Sequence, residues 1–203
     1  MEECKGILRT RLYYVEHLNP QSSQDLKDIK NFYIQDENGQ GLDDYIKYYA
    51  CGDEENREMR TYLVRTISGD ECVGYFSLKA GLVSVNESEE YDEDTGEAIQ
   101  TFDTLPGVEL ADFAVNSAFI EKYPSLKGVG LLIFSEFIIP LVNMAAQYVG
   151  VKMIYIFALP FDRLIRRYEK YGFRRLSGEA EYDLHKRLKP RYDQECRFMY
   201  QLL

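Results

Sequence analysis

Cysteine and histidine are scarce in this chain of 203 residues, which contains four cysteines and two histidines. No two cysteines have the C-x-x-C spacing of zinc and redox motifs, so neither a structural zinc site nor any other metal is expected. This pattern is typical of reduced thiols in a cytosol. Residues 1–14 lack an apolar run, which predicts that there is no signal peptide and that the protein is cytoplasmic.

Basic residues are also in deficit, because 24 lysines and arginines stand against 34 acidic residues and the formal net charge is −10. A chain with this charge repels the phosphate backbone as a whole, so nucleic acid is not an expected partner. Long uninterrupted hydrophobic runs are absent too. The most apolar segment, residues 128–149, contains Ser135, Glu136 and Pro140, and it therefore predicts a buried helix and no membrane partner.

Strand and helix patterns alternate along the whole chain. Strands are predicted at residues 8–18, 61–67, 72–78, 108–115, 151–159, 173–176 and 197–203, and helices at 22–34, 42–50, 128–149 and 163–170. Strand 108–115, the long helix and strand 151–159 predict a βαβ unit with a right-handed crossover. We therefore predict an α/β (mixed α+β) fold, in which one domain over residues 1–203 has a twisted, mostly antiparallel sheet of six to seven strands with helices on both faces.

One segment departs from these patterns. Residues 86–97, NESEEYDEDTGE, are strongly acidic and have no periodicity. We interpret them as part of an insertion at about 86–104, which forms either a solvated loop or a ribbon at the sheet edge.

The candidate site begins where the long helix starts, at the sequence SLKGVG over residues 125–130. Glycines let the backbone turn tightly and bring its N–H groups close to a ligand. The first N–H groups of a helix have no partner inside the helix, and the helix dipole adds positive charge there. The turn therefore predicts a site for a phosphate or pyrophosphate, although it matches neither the P-loop nor the GxGxxG fingerprint.

The segment from this helix to YEKYGF at residues 168–173 resembles the GNAT superfamily of acyl-CoA-dependent N-acyltransferases. Gly128 and Gly130 match the family's Q/R-x-x-G-x-G/A phosphate motif, and residues 168–173 match its common Y-E-K-x-G-F ending. The order of elements from about Thr61 onward also fits. The resemblance implies a GNAT-like fold and an N-acetyltransferase that moves an acetyl group from acetyl-CoA to a primary amine by direct transfer, with no metal.

The resemblance also implies roles for individual residues. The implied cofactor-binding residues are Val115, Lys127, Gly128, Val129, Gly130 and Leu131. Strand 108–115 would diverge from its neighbour, so that an amide near Val115 meets the thioester oxygen. Tyr168 would protonate or hold the leaving thiolate, because a phenol can donate a proton to it. Glu109 would be the general base, with Asp112 in reserve on the other side of the strand.

Two departures from the family leave alternatives open. Ser125 stands where the family usually has Gln or Arg, and the connection 116–127 is longer than usual. A non-catalytic acyl-CoA-binding or protein-interaction module is therefore one alternative. A toxin-like tRNA acetyltransferase is another, which would use the basic residues in 163–175. The expected acceptor is a small-molecule or protein amine of unknown identity. The oligomeric state stays open, with a homodimer among the alternatives.

Overall fold

A computed structural model describes residues 6–91, 94–96, 98–126, 128–187 and 195–203. The strands are β1 (Leu8–Arg9), β2 (Tyr13–His17), β3 (Arg60–Thr66), β4 (Cys72–Tyr91), β5 (Ala98–Val115), β6 (Met153–Ala158), β7 (Arg174–Arg175) and β8 (Arg197–Leu202). The single-segment helices are α1 (Ser23–Asn31), α3 (Ser117–Lys122), α5 (Asp162–Lys170) and α6 (Gly178–Arg187).

Two further helices each contain a π-helical turn. α2 joins Gln40–Asp44, the π turn Tyr45–Tyr49 and Ala50–Asn56, after a 3₁₀ turn at Glu37–Gly39. α4 joins Val129–Ile133, the π turn Phe134–Ile138 and Ile139–Ala146.

The strands follow the order β1-β2-β3-β4-β5-β6-β8-β7 in one sheet. Among the described pairings only β5 with β6 is parallel, so the predicted mixed α/β class with a mostly antiparallel sheet is confirmed. The predicted number of six to seven strands was wrong, because the described residues already form eight strands in one sheet.

The extra strand arises from a turn inside the segment predicted as one strand at residues 8–18. The Thr10 hydroxyl accepts hydrogen bonds from the amides of Tyr13 at 3.0 Å and Leu12 at 3.3 Å. A threonine hydroxyl that satisfies nearby amides in this way competes with the strand ladder and forms a turn. The chain therefore folds back on itself and divides the segment into β1 and β2.

Strand β4 runs into the acidic segment as far as Tyr91, and β5 begins at Ala98. Residues 92, 93 and 97 lie outside the described residues. The sequence patterns predicted that the first of these strands ends at residue 78 and that the second begins at residue 108, so both strands are longer than predicted. Helices α3 and α6 were also absent from the prediction.

The chain divides into two compact units, of which the first contains Met1–Lys79 and Leu110–Met144. Its core includes Leu18, Ile29, Phe32, Ile46 and Leu63. Helix α4 contributes a buried apolar side, whose members are Val129, Ile133, Phe134, Phe137, Ile138, Leu141 and Val142. By length and composition alone α4 could also cross a membrane, a test that buried core helices pass as well.

The second unit contains Ala80–Glu109 and Ala145–Leu203. Its core is formed by Val83, Met153, Tyr155, Leu184 and Phe198. Two glycines make room for the Tyr155 ring, because a Cβ at Gly81 would lie 2.0 Å from the Tyr155 hydroxyl and one at Gly107 would lie 3.0 Å from the ring.

A buried arginine joins β3 to α1 in the first unit. The Arg65 side chain is 1% exposed, and its guanidinium donates to Asp25, Asp28 and Glu16 at distances of 2.7–2.8 Å. Asp25 also accepts the amide of Asn19, so it fixes the chain just before the helix. Burial raises the pKa of Asp28, and Arg65 opposes that rise. The negative charges of Asp25 and Asp28 are therefore balanced by the positive charge of Arg65.

Replacing Arg65 with methionine should destabilise the protein by about 3–5 kcal/mol, because Asp25 and Asp28 would stay buried without their cation. Urea unfolding of the two proteins measures this difference. Lys27→Gln, on the exposed side of α1, is the control and should change the free energy of unfolding by less than about 0.5 kcal/mol. Equal midpoints for wild type and Arg65→Met would show that the cluster contributes nothing.

Candidate functional site

The end of β5 is held to the start of β4 by Asn116, which directly follows Val115. The Asn116 amide donates to the Val73 carbonyl at 2.9 Å, and its side-chain nitrogen donates to the Cys72 carbonyl at 3.1 Å. Asn116 is 8% exposed. A Cβ at Gly74 would lie 2.7 Å from the Ala114 carbonyl oxygen, so this close approach of the strands requires glycine. The hydrogen bonds of Asn116 to β4, together with the close approach at Gly74, therefore fix the position of Val115.

The pairing between β5 and β6 is short. It comprises Gly107 with Met153, Val108 with Ile154 and Glu109 with Tyr155. Both strands continue beyond these pairs, to Val115 in β5 and to Ala158 in β6. Among the described residues no ladder between β5 and β6 extends past Glu109.

The glycine turn precedes α4 as the sequence predicted. Gly128 has φ +101° and is the N-cap residue, and the space around its Cα is open. Its positive φ, rather than crowding, is therefore what favours glycine. Lys127, the basic residue predicted to assist here, lies outside the described residues.

The amides of the turn divide into two groups. The Val129 amide donates to the Leu126 carbonyl at 3.3 Å, and the Leu131 amide donates to the Gly128 carbonyl at 2.9 Å. The Gly130 amide has no acceptor among the described residues. Of the three amides of Val129, Gly130 and Leu131, that of Gly130 is therefore the one for which the described residues supply no acceptor.

A groove of about 530 Å³ lies beside this turn, and sequence reasoning missed it. Its lining residues are Thr10, Arg11, Leu12, Tyr13, Gly128, Leu131, Leu132, Ser135 and Glu136. Leu12 and Leu131 are exposed by 61% and 49%. The β1–β2 turn was predicted as continuous strand, so nothing indicated that Arg11 faces α4. The signal that could have found the turn was Thr10 itself, because a threonine hydroxyl can accept the amides two and three residues later.

Tyr168, the predicted acid, lies in α5 in the second unit and is half-buried. Its ring makes edge contacts with Tyr171 and Phe173, at centroid distances of 5.9 and 5.6 Å. The Phe173 amide donates to the Tyr168 carbonyl at 3.0 Å, and Gly172 has φ +96°. These contacts end the helix and fix the register of the YEKYGF motif.

The two candidate bases lie on different sides of β5. Asp112 is 3% exposed, on the side that also contains Leu110 and Ala114. Glu109 is half-buried, and the Tyr155 hydroxyl donates to it at 3.5 Å. Burial, with the charge of Glu109 added, raises the pKa of Tyr155 above its ordinary value.

Asp112 lies near a buried hydroxyl network under the π turn of α2. The Tyr45 hydroxyl is 3.2 Å from that of Thr61, which is 3.0 Å from that of Ser77. Burial raises the pKa of Tyr45 to about 12, and the negative charge of Asp112 contributes to that rise. The Asp112 carboxylate therefore acts on the electrostatics of this hydroxyl network.

A basic surface covers α5 and β7 in the second unit. Its members are exposed: Arg163, Arg166, Arg167, Lys170, Arg174 and Arg175. Among the described residues only Arg175 of this set approaches a carboxylate, that of Glu181 at 4.0 Å. This basic surface is a local positive patch on a chain of net negative charge.

No family model and no curated protein matches this sequence. Solved structures do match its fold. AtaTR bound with acetyl-CoA is 15% identical, covers 95% of each chain and has a TM-score of 0.63. A tyrosine-to-phenylalanine mutant of KacT gives the same values. AtaT complexed with acetyl-methionyl-tRNAfMet is 18% identical, covers 92% of this chain and 93% of its own, and has a TM-score of 0.58. The likeness confirms the predicted GNAT-like fold.

Proposed function

We propose that this protein is an N-acetyltransferase that uses acetyl-CoA as its co-substrate and transfers the acetyl group directly to a primary amine. The observation that carries the proposal is the glycine turn at the start of α4, in a fold shared with AtaTR bound with acetyl-CoA. The turn offers an amide and positive helix-end charge to the diphosphate. The Gly130 amide and Lys127 are the donors that we assign to it, with Gly128 shaping the turn.

The pantetheine arm lies along β5 in this proposal. The described ladder to β6 stops at Glu109, although β5 continues to Val115 and β6 continues to Ala158. An extended arm follows β5 beyond this point as an added strand would. An amide near Val115 then donates to the thioester oxygen and stabilises the charge that develops there.

The chemistry requires no covalent enzyme intermediate. The neutral amine attacks the thioester carbonyl, the carbon–sulfur bond breaks, and the thiolate of coenzyme A takes a proton from Tyr168. The amine proton passes to Glu109 or Asp112, directly or through water. The buried cysteines do not act as nucleophiles, since burial raises the pKa of the Cys72 thiol to about 12 and Cys196 is 0% exposed.

A specific observation favours a second candidate for the acceptor, the amino group of an aminoacyl-tRNA. The basic surface of α5 and β7 is exposed, and a protein of the same fold, AtaT, was solved with acetyl-methionyl-tRNAfMet. The prediction that nucleic acid is not a partner is not borne out by that comparison. Lysine and arginine clusters bind phosphates locally, whatever the net charge of the chain.

Calorimetry with acetyl-CoA tests the cofactor site. Gly130→Leu should weaken acetyl-CoA binding at least about tenfold, because a side chain would block the approach of the diphosphate to the amide. Gly52→Leu is the matched control, since Gly52 is an exposed helix glycine with open space around it. It should bind as wild type does. Unchanged affinity in Gly130→Leu would mean that the diphosphate is held elsewhere.

Release of free thiol from acetyl-CoA, measured over a panel of amines, tests turnover. Tyr168→Phe should lower turnover roughly 100-fold and leave acetyl-CoA affinity nearly unchanged, because only the proton donor is lost. Tyr171→Phe, on the neighbouring ring, should retain turnover within about threefold. Full activity in Tyr168→Phe would remove Tyr168 from its role. Binding without release by wild type on every amine, aminoacyl-tRNA included, would favour a non-catalytic module.

Filter binding of aminoacyl-tRNA over a range of salt concentrations tests the second candidate. Replacing Arg166 and Arg167 together with glutamine should weaken binding and reduce the log–log salt slope by about two, one for each lost phosphate contact. The pair Lys27→Gln and Lys30→Gln changes the charge equally on α1 and should leave the slope unchanged. Absence of wild-type binding at low salt would exclude the tRNA acceptor.

A further inference from the structure

The groove beside the glycine turn contains a cation that the proposed function has not used. Arg11 lines the groove, is exposed, and forms no ion pair with any described residue. The Arg9 side chain, two residues earlier, is likewise exposed but does not line the groove. Arg9 and Arg11 have the same side chain and are both exposed, but only Arg11 lines the groove. Arg9 therefore serves as a matched control for Arg11.

The turn that presents Arg11 is held firmly in place. The Thr10 amide donates to the Tyr13 carbonyl at 2.8 Å, and the Ile67 amide donates to the Leu12 carbonyl at 2.9 Å. Tyr13 itself is 4% exposed. A guanidinium on such a turn loses less conformational entropy on binding than one on a mobile loop.

Three leucine side chains of the groove offer an apolar surface against which a flat apolar group can pack. Leu12, Leu131 and Leu132 line the same groove, and two of them are strongly exposed. A purine ring covers apolar surface of this kind. Gly128 lines the groove as well, so the groove begins at the turn to which the proposed function assigns the diphosphate.

We propose that this groove holds the adenosine end of coenzyme A and that Arg11 pairs with its 3′-phosphate. The assignment rests on the proposed function, because it takes the diphosphate to lie at the Gly128 turn. A guanidinium forms two parallel hydrogen bonds with a phosphate, which gives the arginine both affinity and selectivity. Arg11 thereby determines specificity for the 3′-phosphorylated cofactor.

One carboxylate in the groove works against a phosphate. Glu136 lines the groove on α4, and its negative charge raises the cost of bringing the 3′-phosphate into the groove. The proposal therefore predicts opposite effects for two neutralising substitutions, with Arg11→Gln weakening the cofactor and Glu136→Gln strengthening it.

The experiment compares Kd values for acetyl-CoA and 3′-dephospho-acetyl-CoA by calorimetry. Wild type should prefer acetyl-CoA by about tenfold or more. Arg11→Gln should lose that preference by weakening acetyl-CoA alone, whereas Arg9→Gln should keep it. Glu136→Gln should bind acetyl-CoA more tightly and leave the dephospho ligand unchanged.

The outcomes separate the two proposals. If wild type binds both ligands equally, or if Arg11→Gln weakens both by the same factor, the adenosine subsite is wrong and the acetyltransferase proposal stands. If wild type binds neither ligand, both proposals fall. If Arg9→Gln removes the preference as fully as Arg11→Gln does, general charge rather than the groove recognises the phosphate, and the assignment of Arg11 is overturned.

Discussion

The hydrogen bonds of Asn116 set the geometry at one end of the first unit. Its amide and side-chain nitrogen hold β5 to β4, and its side-chain oxygen accepts the Ala118 amide at 3.1 Å and caps α3. Its carbonyl accepts the amides of Phe119 and Ile120. One buried residue thus ends a strand, starts a helix and satisfies its own polar groups. The positions of Val115, on the strand, and of the connection that leads to Gly128 both depend on it.

The acidic composition of the chain is partly explained by the interior. Asp25, Asp28, Glu54 and Glu181 are largely withdrawn from solvent and accept hydrogen bonds from arginines or backbone amides. Hydrogen bonds from His17, the Thr61 amide and Arg60 hold the pKa of Glu54 below its usual range, against the opposing effect of burial. These carboxylates hold elements together and contribute little to the outer surface. A net charge of −10 therefore says little about any one face, and the exposed arginines of α5 can attract phosphate locally.

The sequence predicted those parts of the fold that are governed by apolar periodicity. Helix α4 and β6 follow from patterns of burial that a single sequence displays directly, whereas the YEKYGF segment was identified by its resemblance to the family's motif. The β1–β2 turn depends on a side-chain hydroxyl, and the π turns of α2 and α4 have no distinct sequence period. The sequence of β4 beyond residue 78 and of β5 before residue 108 contains charged residues where an alternating apolar pattern would reveal a strand. The groove beside Gly128 was missed because one of its walls is that hidden turn.

The choice between the two candidate bases is a question of solvation. A carboxylate such as Asp112, buried beside the Tyr45 network, draws a cationic ammonium towards it, since a nearby opposite charge stabilises both. Burial acts in the opposite direction, because it disfavours every charged form and so lowers the pKa of a buried ammonium. Glu109, half-buried and beside the Tyr155 hydroxyl, exerts a weaker effect of the same kind. In the proposed reaction the deeper carboxylate therefore has the stronger physical reason to recognise the acceptor, and the shallower one has the easier route to pass its proton to solvent.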